Sequence, residues 1–369
     1  MTQQSAREDL TAGNALALVT GGAGFIGVAI APALADAFDR VVVVDNLHPQ
    51  IHPTAQRPGT LDPRVELVVG DVTEEALWER VLRDAAPDIV VHLAAETGTG
   101  QSLAEASRHA MVNVVGTTRM LDALLAHDRL PRRLVLASSR AVYGEGAWRD
   151  DPTGDVFYPG QRADAMLERG EWDFPGAEPM AMSAGVVEPA PVSIYGATKL
   201  AQEHLISAWA QSLGVEHVIV RLQNVYGPGQ SLINPYTGIM SLFCRLAKAG
   251  RSIPLYEDGQ MRRDFVLIDD AARAVVAATL AQAPGTTPID IGSGEYQTIA
   301  RAAGLIAARY GAPEPHVSGE YRQGDVRHAW ADVSRAERQL GWTPQVALEC
   351  GVERLASWID DQPGSELDE

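Results

Sequence analysis

Cysteine is scarce in this chain of 369 residues: Cys244 and Cys350 are the only two, over a hundred positions apart. No disulfide framework and no cysteine metal knuckle can be assembled from them, and both read as inert thiols. Long hydrophobic runs are missing too. The longest, such as Ala15–Val19 and Val41–Val44, fall far below the roughly 20 residues that cross a bilayer. The opening MTQQSAREDL lacks a signal-peptide pattern, so a cytoplasmic protein with no membrane partner is expected. Basic residues are outnumbered, with 30 Lys and Arg against 48 Asp and Glu and a formal charge of −18. Nucleic acid attracts protein through Lys and Arg on its phosphates, so it is not an expected partner. A small phosphorylated ligand stays compatible, because a few Arg side chains and helix N-termini in one cleft hold a diphosphate whatever the global charge. Apolar residues make up 46%, enough for a sizeable core.

Short apolar strands alternate with helical patterns through the first half of the chain. Ala15–Thr20 reads as a strand, Gly21–Gly27 as a glycine turn, Val28–Phe38 as an alanine-rich helix and Arg40–Asp45 as a second strand. Strands at Val65–Val69, Asp88–Leu93 and Arg133–Ala137 follow, with helices at Glu74–Asp84 and Ala106–His127. Such interleaving predicts an α/β fold with a doubly wound parallel sheet. Periodicity fails between Gly144 and Pro191, where Gly, Pro, Asp and scattered aromatics predict an insertion or lid. A helix at Tyr195–Leu213 and a strand at Glu216–Leu222 restore the pattern. Helices at Gly238–Ala249, Asp269–Ala281, Thr298–Tyr310 and Leu348–Asp360 then fit a smaller domain over the C-terminal edge of the sheet. The expected division is 12–227 for a dinucleotide domain and 228–361 mainly for a C-terminal substrate-binding domain. About 262–295 returns to the first, and 1–11 and 362–369 are read as flexible tails.

Gly21, Gly24 and Gly27 form G-x-x-G-x-x-G between a strand and a helix, and Asp45 ends the next strand. Glycine allows the tight turn, lets backbone N–H groups approach a pyrophosphate and lets helix and strand pack closely, while the helix dipole favours the negative charge. Asp45 is placed to accept from the adenosine ribose hydroxyls. It would repel a 2′-phosphate, and no Arg or Lys follows in Asp45-Asn46-Leu47-His48, so NAD rather than NADP is the expected cofactor. Asp71, after the third strand, reads either as a contact to the adenine edge or as a plain turn aspartate.

Tyr195 and Lys199 stand at i and i+4 of one helix, on one face. A phenol with an ordinary pKa near ~10 is a poor base at neutral pH, but an adjacent ammonium and the positive nicotinamide ring favour phenolate. The strand ending at Ser138-Ser139-Arg140-Ala141 supplies a hydroxyl about fifty residues upstream. TGGAGFIG, HLAA (His92–Ala95), NVVGT (Asn113–Thr117) and RDFVLIDD (Arg263–Asp270) complete the set. Together these motifs closely resemble the extended short-chain dehydrogenase/reductases, in particular the NAD-dependent nucleotide-sugar epimerase/dehydratase family, from about Leu16 to Ile359.

The resemblance implies a Rossmann-type sheet and a division of labour among named residues. Tyr195 is the implied general base, Lys199 its partner and a holder of the nicotinamide ribose, and Ser139 the hydroxyl on the reacting sugar oxygen. Phe25 and Ile26 in the glycine turn, Asn46, Val72, Leu93, Ala94, Ala95 and Asn113 complete the implied cofactor site, with Asn113 and Ser138 as supporting residues. Thr97, Arg140 and Asn224 are implied sugar contacts, and Arg263 and Arg322 match positions that grip a nucleotide diphosphate, as planar guanidinium forks can. Tyr256 reads either as a stacking partner for the base or as a core aromatic.

The strings HLAAETGTGQS, QNVYGPGQS, NPYTGI (Asn234–Ile239) and GDVRHAWAD look most like the 4-epimerase branch acting on dTDP- or UDP-linked hexoses and deoxyhexoses. Members of that branch often carry cysteines in the insertion. Gly144–Pro191 has none, so no metal is expected. The resemblance also implies a homodimer. Two other readings are a 4-ketoreductase or dehydrogenase that exchanges NAD with solution, and a non-catalytic NAD-sensing module; intact Ser139, Tyr195 and Lys199 argue against the second.

Overall fold

Seven short apolar runs become one parallel sheet. A computed structural model describes residues 14–232, 238–282 and 285–362. Of the tails expected at 1–11 and 362–369, residues 1–11 and 363–369 lie outside the described residues, as do residues 234–237 of the NPYTGI string. In chain order the main elements are β1 (Leu16–Thr20), α1 (Phe25–Ala37), β2 (Arg40–Asp45), β3 (Glu66–Val69), α2 (Glu75–Asp84) and β4 (Ile89–His92). They continue with α3 (Thr117–Ala126), β5 (Arg133–Ser139), α4 (Ile194–Leu213), β6 (Glu216–Leu222) and α5 (Ile239–Lys248). The last are α6 (Ile268–Leu280), β7 (Ile289–Ile291), α7 (Ile299–Tyr310) and α8 (Leu348–Asp360). The strands lie in the order β7-β6-β5-β4-β1-β2-β3, every neighbouring pair parallel. That is the doubly wound arrangement, with its reversal between β1 and β4.

Alternate residues of each strand feed opposite faces. Val19, Val43 and Val91 pack with Ile30 and Leu34 of α1 and Val275 of α6. Leu18, Val42, Val90 and Leu136 face Trp78 of α2 and Met120 of α3. Each such side chain removed from water contributes roughly 1.5–3 kcal/mol. A separate core joins α5, α7 and α8 through Phe243, Ile306 and Leu355.

Several details depart from the sequence reading. α1 begins at Phe25, not Val28, because the turn runs straight into the helix: a Cβ on Gly27 would lie 2.4 Å from the backbone of Gly22. The helix expected over Ala106–His127 is broken by a π-helical turn, Met111–Gly116, which carries Asn113. A helix at Thr99–Ala104 and strand β7 had no clear sequence signal; β7 is three residues long with a buried Asp290 at its centre. The insertion is ordered as a three-stranded antiparallel sheet of Val156–Phe157, Trp148–Asp150 and Ala177–Pro179, beside a short helix, Asp164–Glu168. Among the described residues no helix is long and apolar enough to cross a membrane.

Candidate active site

The C-terminal ends of the central strands open onto one cavity of about 1430 Å³, where the strand order reverses. Its first wall is the glycine turn. Gly21 holds φ at +66°, and a Cβ there would meet the backbone of Ala94 at 2.7 Å, so no other residue fits. No side chain caps the start of α1 and its first turn carries no acid, which leaves the helix N-terminus to an anion. Asp45 is 8% exposed. Its Oδ2 accepts from Ala23 N–H at 3.0 Å and its Oδ1 from Leu47 N–H at 2.9 Å. A carboxylate has about four acceptor sites, so acceptor capacity is left for ribose hydroxyls, on Oδ1 beside His52 Nε2 at 3.7 Å. Phe25, Ile26, Asn46, Val72, Leu93 and Ala95 also line this part.

Two expected cofactor residues make their hydrogen bonds within neighbouring loops. Asp71 accepts from Asn46 Nδ2 at 2.9 Å and from Thr73, and its neighbours Gly70 and Val72 reach the cavity while it does not. Asn113 is fully buried. Its Oδ1 accepts from Glu96 N–H at 2.7 Å, and its Nδ2 donates to Glu96 O and to Thr198 Oγ1. It therefore ties the loop after β4 to the helix that bears Tyr195.

Ser139 closes β5, and Tyr195 and Lys199 lie one turn apart on α4. The Ser193 hydroxyl caps α4 by accepting from Gly196 N–H at 3.1 Å. A Cβ on Gly196 would lie 2.4 Å from Ala141 O, so glycine lets the helix press onto the turn after β5. Burial pushes the Tyr195 phenol above its ordinary value, while a hydrogen bond with Ser139 and the charge of Arg140 pull it back. Burial pulls the Lys199 ammonium down to about 7, opposed by Glu203.

Lys199 is turned toward the interior. Its Nζ donates to Gln202 Oε1 at 2.7 Å, and Gln202 Nε2 donates to Thr117 Oγ1 at 2.8 Å. The His92 ring lies between Thr117 and Thr20, 2.9 and 2.7 Å away. Burial pulls that imidazole down to about 3, with the charge of Lys199 adding to it, so it is neutral here. Only His92 in HLAA hinted at this buried polar chain.

The far end holds Asn224, Tyr256, Arg263, Arg322 and Thr97, all on the cavity wall. Arg140 Nε donates to Asn224 Oδ1 at 2.8 Å. Arg263 spends its donors on carbonyls, Arg262 O and Arg327 O from Nη1 and Val326 O from Nη2. Burial, with the charge of Arg140, pulls its guanidinium down to about 9. The Arg322 guanidinium stands 5.1 Å over the Tyr256 ring, which also packs on the second core. Sequence reading missed Gln223, which lines the cavity at 5% exposure with neither amide atom hydrogen-bonded among the described residues. It also missed that Glu96 is held by Arg108 at 2.9 Å. Among the described residues, no group of three or more His, Cys, Asp or Glu side chains is arranged to hold a metal ion.

A doubly wound sheet, a glycine turn at its reversal and a Ser-Tyr-Lys wall in the same cavity define a dinucleotide-dependent enzyme of the extended short-chain dehydrogenase/reductase class. The chain matches the NAD dependent epimerase/dehydratase family over residues 17–162 and 174–292, and belongs to it. It is 57% identical over 343 residues to the dTDP-L-rhamnose 4-epimerase of Burkholderia thailandensis, covering 93% of this chain and 94% of that one. The UDP-glucose 4-epimerase of Thermotoga maritima, solved with UDP-glucose, superposes with a TM-score of 0.76 at 26% identity, covering 94% of this chain and 98% of that one. The Thermus thermophilus UDP-glucose 4-epimerase in complex with NAD gives a TM-score of 0.74 at 27% identity, with 94% and 99% covered.

Proposed function

We propose that this chain is a nucleotide-sugar 4-epimerase that acts on a dTDP-linked 6-deoxyhexose with NAD as its cofactor. One observation carries the reading: Ser139, Tyr195 and Lys199 share a cavity with the glycine turn at one end and Arg263 and Arg322 at the other. The 57% identity to a dTDP-L-rhamnose 4-epimerase supports the sugar class. The residues fit a dinucleotide, since the uncapped start of α1 suits a pyrophosphate and the open acceptor sites of Asp45 suit ribose hydroxyls. Held there, NAD would supply the hydride acceptor and donor for C4 of the sugar. Tyr195 takes the O4 proton as C4 becomes a carbonyl, Ser139 donates a hydrogen bond to the same oxygen, and Tyr195 returns the proton after the keto sugar has turned over. Arg322 holds the diphosphate while the sugar rotates, and Arg263, whose Nη1 and Nη2 already donate to carbonyls, lends its charge.

A 4,6-dehydratase also needs an acid and a base at C5 and C6, which related dehydratases place directly after the catalytic hydroxyl residue. Here those positions are Arg140 and Ala141. Ala has no titratable group and Arg stays protonated at any working pH, while Glu96 is engaged by Arg108. Incubated with dTDP-L-rhamnose and no added NAD, the purified protein should yield the C4 epimer by NMR, and dTDP-glucose should give no 4-keto-6-deoxy product. Dehydration at a rate matching any epimerisation would overturn the reading.

Cofactor choice follows from Asp45. A like charge placed against the 2′-phosphate of NADP costs several kcal/mol, so NAD should bind at least about tenfold more tightly than NADP by calorimetry. Equal affinity would contradict the role given to Asp45. The division into a dinucleotide half, 12–227, and a mainly substrate-binding half, 228–361, from which about 262–295 returns to the first, belongs to the same reading, with 144–191 covering the sugar. So does a homodimer, for which Leu103 and Met111 offer apolar side chains, 77% and 51% exposed, on two segments packed against α4.

A further inference from the structure

The chain that leaves β2 at Asp45 folds back on the same carboxylate. Asp45 Oδ1 accepts from Leu47 N–H at 2.9 Å and Asn46 Oδ1 from His48 N–H at 3.1 Å, so two side chains turn the backbone in succession. Leu47 is buried and takes a left-handed backbone with φ at +50°. The N–H groups of Ile51 and His52 then both donate to His48 O at 2.9 Å. His52 thereby reaches the cavity wall beside Ile51, Pro58 and Thr60. It is 8% exposed, and its Nε2 stands 3.7 Å from Asp45 Oδ1.

That separation is too long for a hydrogen bond, and among the described residues neither ring nitrogen of His52 makes one. It leaves room for one oxygen between the two groups, about 2.8 Å from each. A hydroxyl uses both, because it accepts from an imidazole N–H and donates to a carboxylate. The carboxylate beside the ring favours the tautomer with its proton on Nε2. Ala23, in the glycine turn, donates to the other oxygen of Asp45, so the gap lies within a ribose's reach of the pyrophosphate site at the start of α1. A direct ion pair that fixes the loop is the plainer role, but the loop is held without it. Ile51 and His52 are tied by their backbones to His48 O, Leu61 is anchored in the first core, and Ser231 Oγ donates to Gln50 O at 3.4 Å.

We propose that His52 is a further cofactor-binding residue: with Asp45 it forms a donor–acceptor clasp on one hydroxyl of the adenosine ribose of NAD. The inference rests on Asp45 facing that ribose. It gives the turn after β2 a function, since the left-handed Leu47 and the bonds to His48 O bring a donor from the loop back to an acceptor at the strand end.

The test is calorimetry of NAD, and of its 2′-deoxyadenosine and 3′-deoxyadenosine analogues, on the full chain stripped of cofactor. Wild type should bind the analogue that lacks the clasped hydroxyl about tenfold more weakly than NAD, as leaving a buried polar pair without its partner does. His52→Leu keeps the bulk and removes the donor. It should bind NAD about five- to tenfold more weakly, and its penalty for that same analogue should shrink by the same factor, the non-additivity that two groups in contact produce. His52→Gln, whose amide donates from a similar reach, should recover most of the NAD affinity. Should His52→Leu fail to fold, His52→Asn, too short to reach the gap, carries the measurement. A weaker NAD affinity with both analogue penalties unchanged makes His52 a prop for the loop and overturns the proposal, as does an unchanged affinity. A wild-type protein indifferent to both hydroxyls would remove the role of Asp45 as well, so the two failures are told apart.

Discussion

Tyr195→Phe is expected to fold, to keep NAD and to lose about 10²–10⁴-fold in turnover, the usual contribution of a positioned acid–base group. The change removes one hydroxyl and almost no volume. The ring keeps its edge contact with His109, and the backbone carbonyl of Tyr195 keeps accepting from Thr198 Oγ1 at 2.8 Å. Ser139 Oγ still accepts from Ala141 N–H. Stability should therefore hold, since a phenol pushed up by burial is a group whose ionised form the fold disfavours. Thermal melting and NAD binding check the first two points, and kcat on the nucleotide sugar checks the third. Near wild-type turnover would remove Tyr195 from its role.

Arg327→Met should destabilise the protein by about 3–5 kcal/mol, as breaking a buried ion pair from one side does. Arg327 is 1% exposed and joins Glu257, Asp258 and Asp173. Arg162, from the insertion, pairs with Glu145 and with Glu257 at 2.8 Å, all three within 2% exposure. Removing Arg327 leaves Glu257 Oε2 without its guanidinium partner, with Arg162 on Oε1 alone, and loosens the insertion from the segment at 325–328. Burial pushes the Glu145 carboxyl up in spite of Arg162, which shows how costly this network is to desolvate. Asp173 behaves differently: burial would raise it, but His328 and Arg327 hold its carboxyl well below the usual carboxylate range. A depressed carboxylate contributes stability above its unfolded pKa of 3.8, lost as pH falls through the folded value. The clamp should thus be intact at neutral pH. Because Val326 O and Arg327 O hold Arg263, the variant should also raise KM for the nucleotide sugar. Urea unfolding reads the stability, and an unchanged midpoint would make the network ornamental.

The parts of the molecule legible in the sequence are those written in neighbouring residues. Parallel strands buried on both faces are continuous apolar runs, so β1 to β6 showed themselves. The glycine turn and the Tyr-Lys spacing are local patterns as well. What stayed hidden is built from distant residues. The insertion lacks periodicity because its order comes from charges, with Arg162 meeting Glu257 95 positions later and Arg327 N–H meeting Glu145 182 positions earlier. Absence of cysteine said that no metal knuckle holds the insertion, but spacing could not reveal the ion cluster that does. Lys199 looked like a free partner for Tyr195 because i and i+4 are visible on a helix, while its bond to Gln202 shows only in the fold. Asp71 and Asn113 have the right residue types near the right strands, and only coordinates show which loops their side chains also tie down.

The central claim is that hydride leaves C4 and returns to C4 within one cavity, and isotope tracing reads it directly. Nucleotide sugar deuterated at C4 should give the C4 epimer with its deuterium retained, and unlabelled substrate turned over in heavy water should gain none at C4. Loss of the label from C4, or its replacement from solvent, would contradict a bound-cofactor hydride shuttle and with it the assignment of this site.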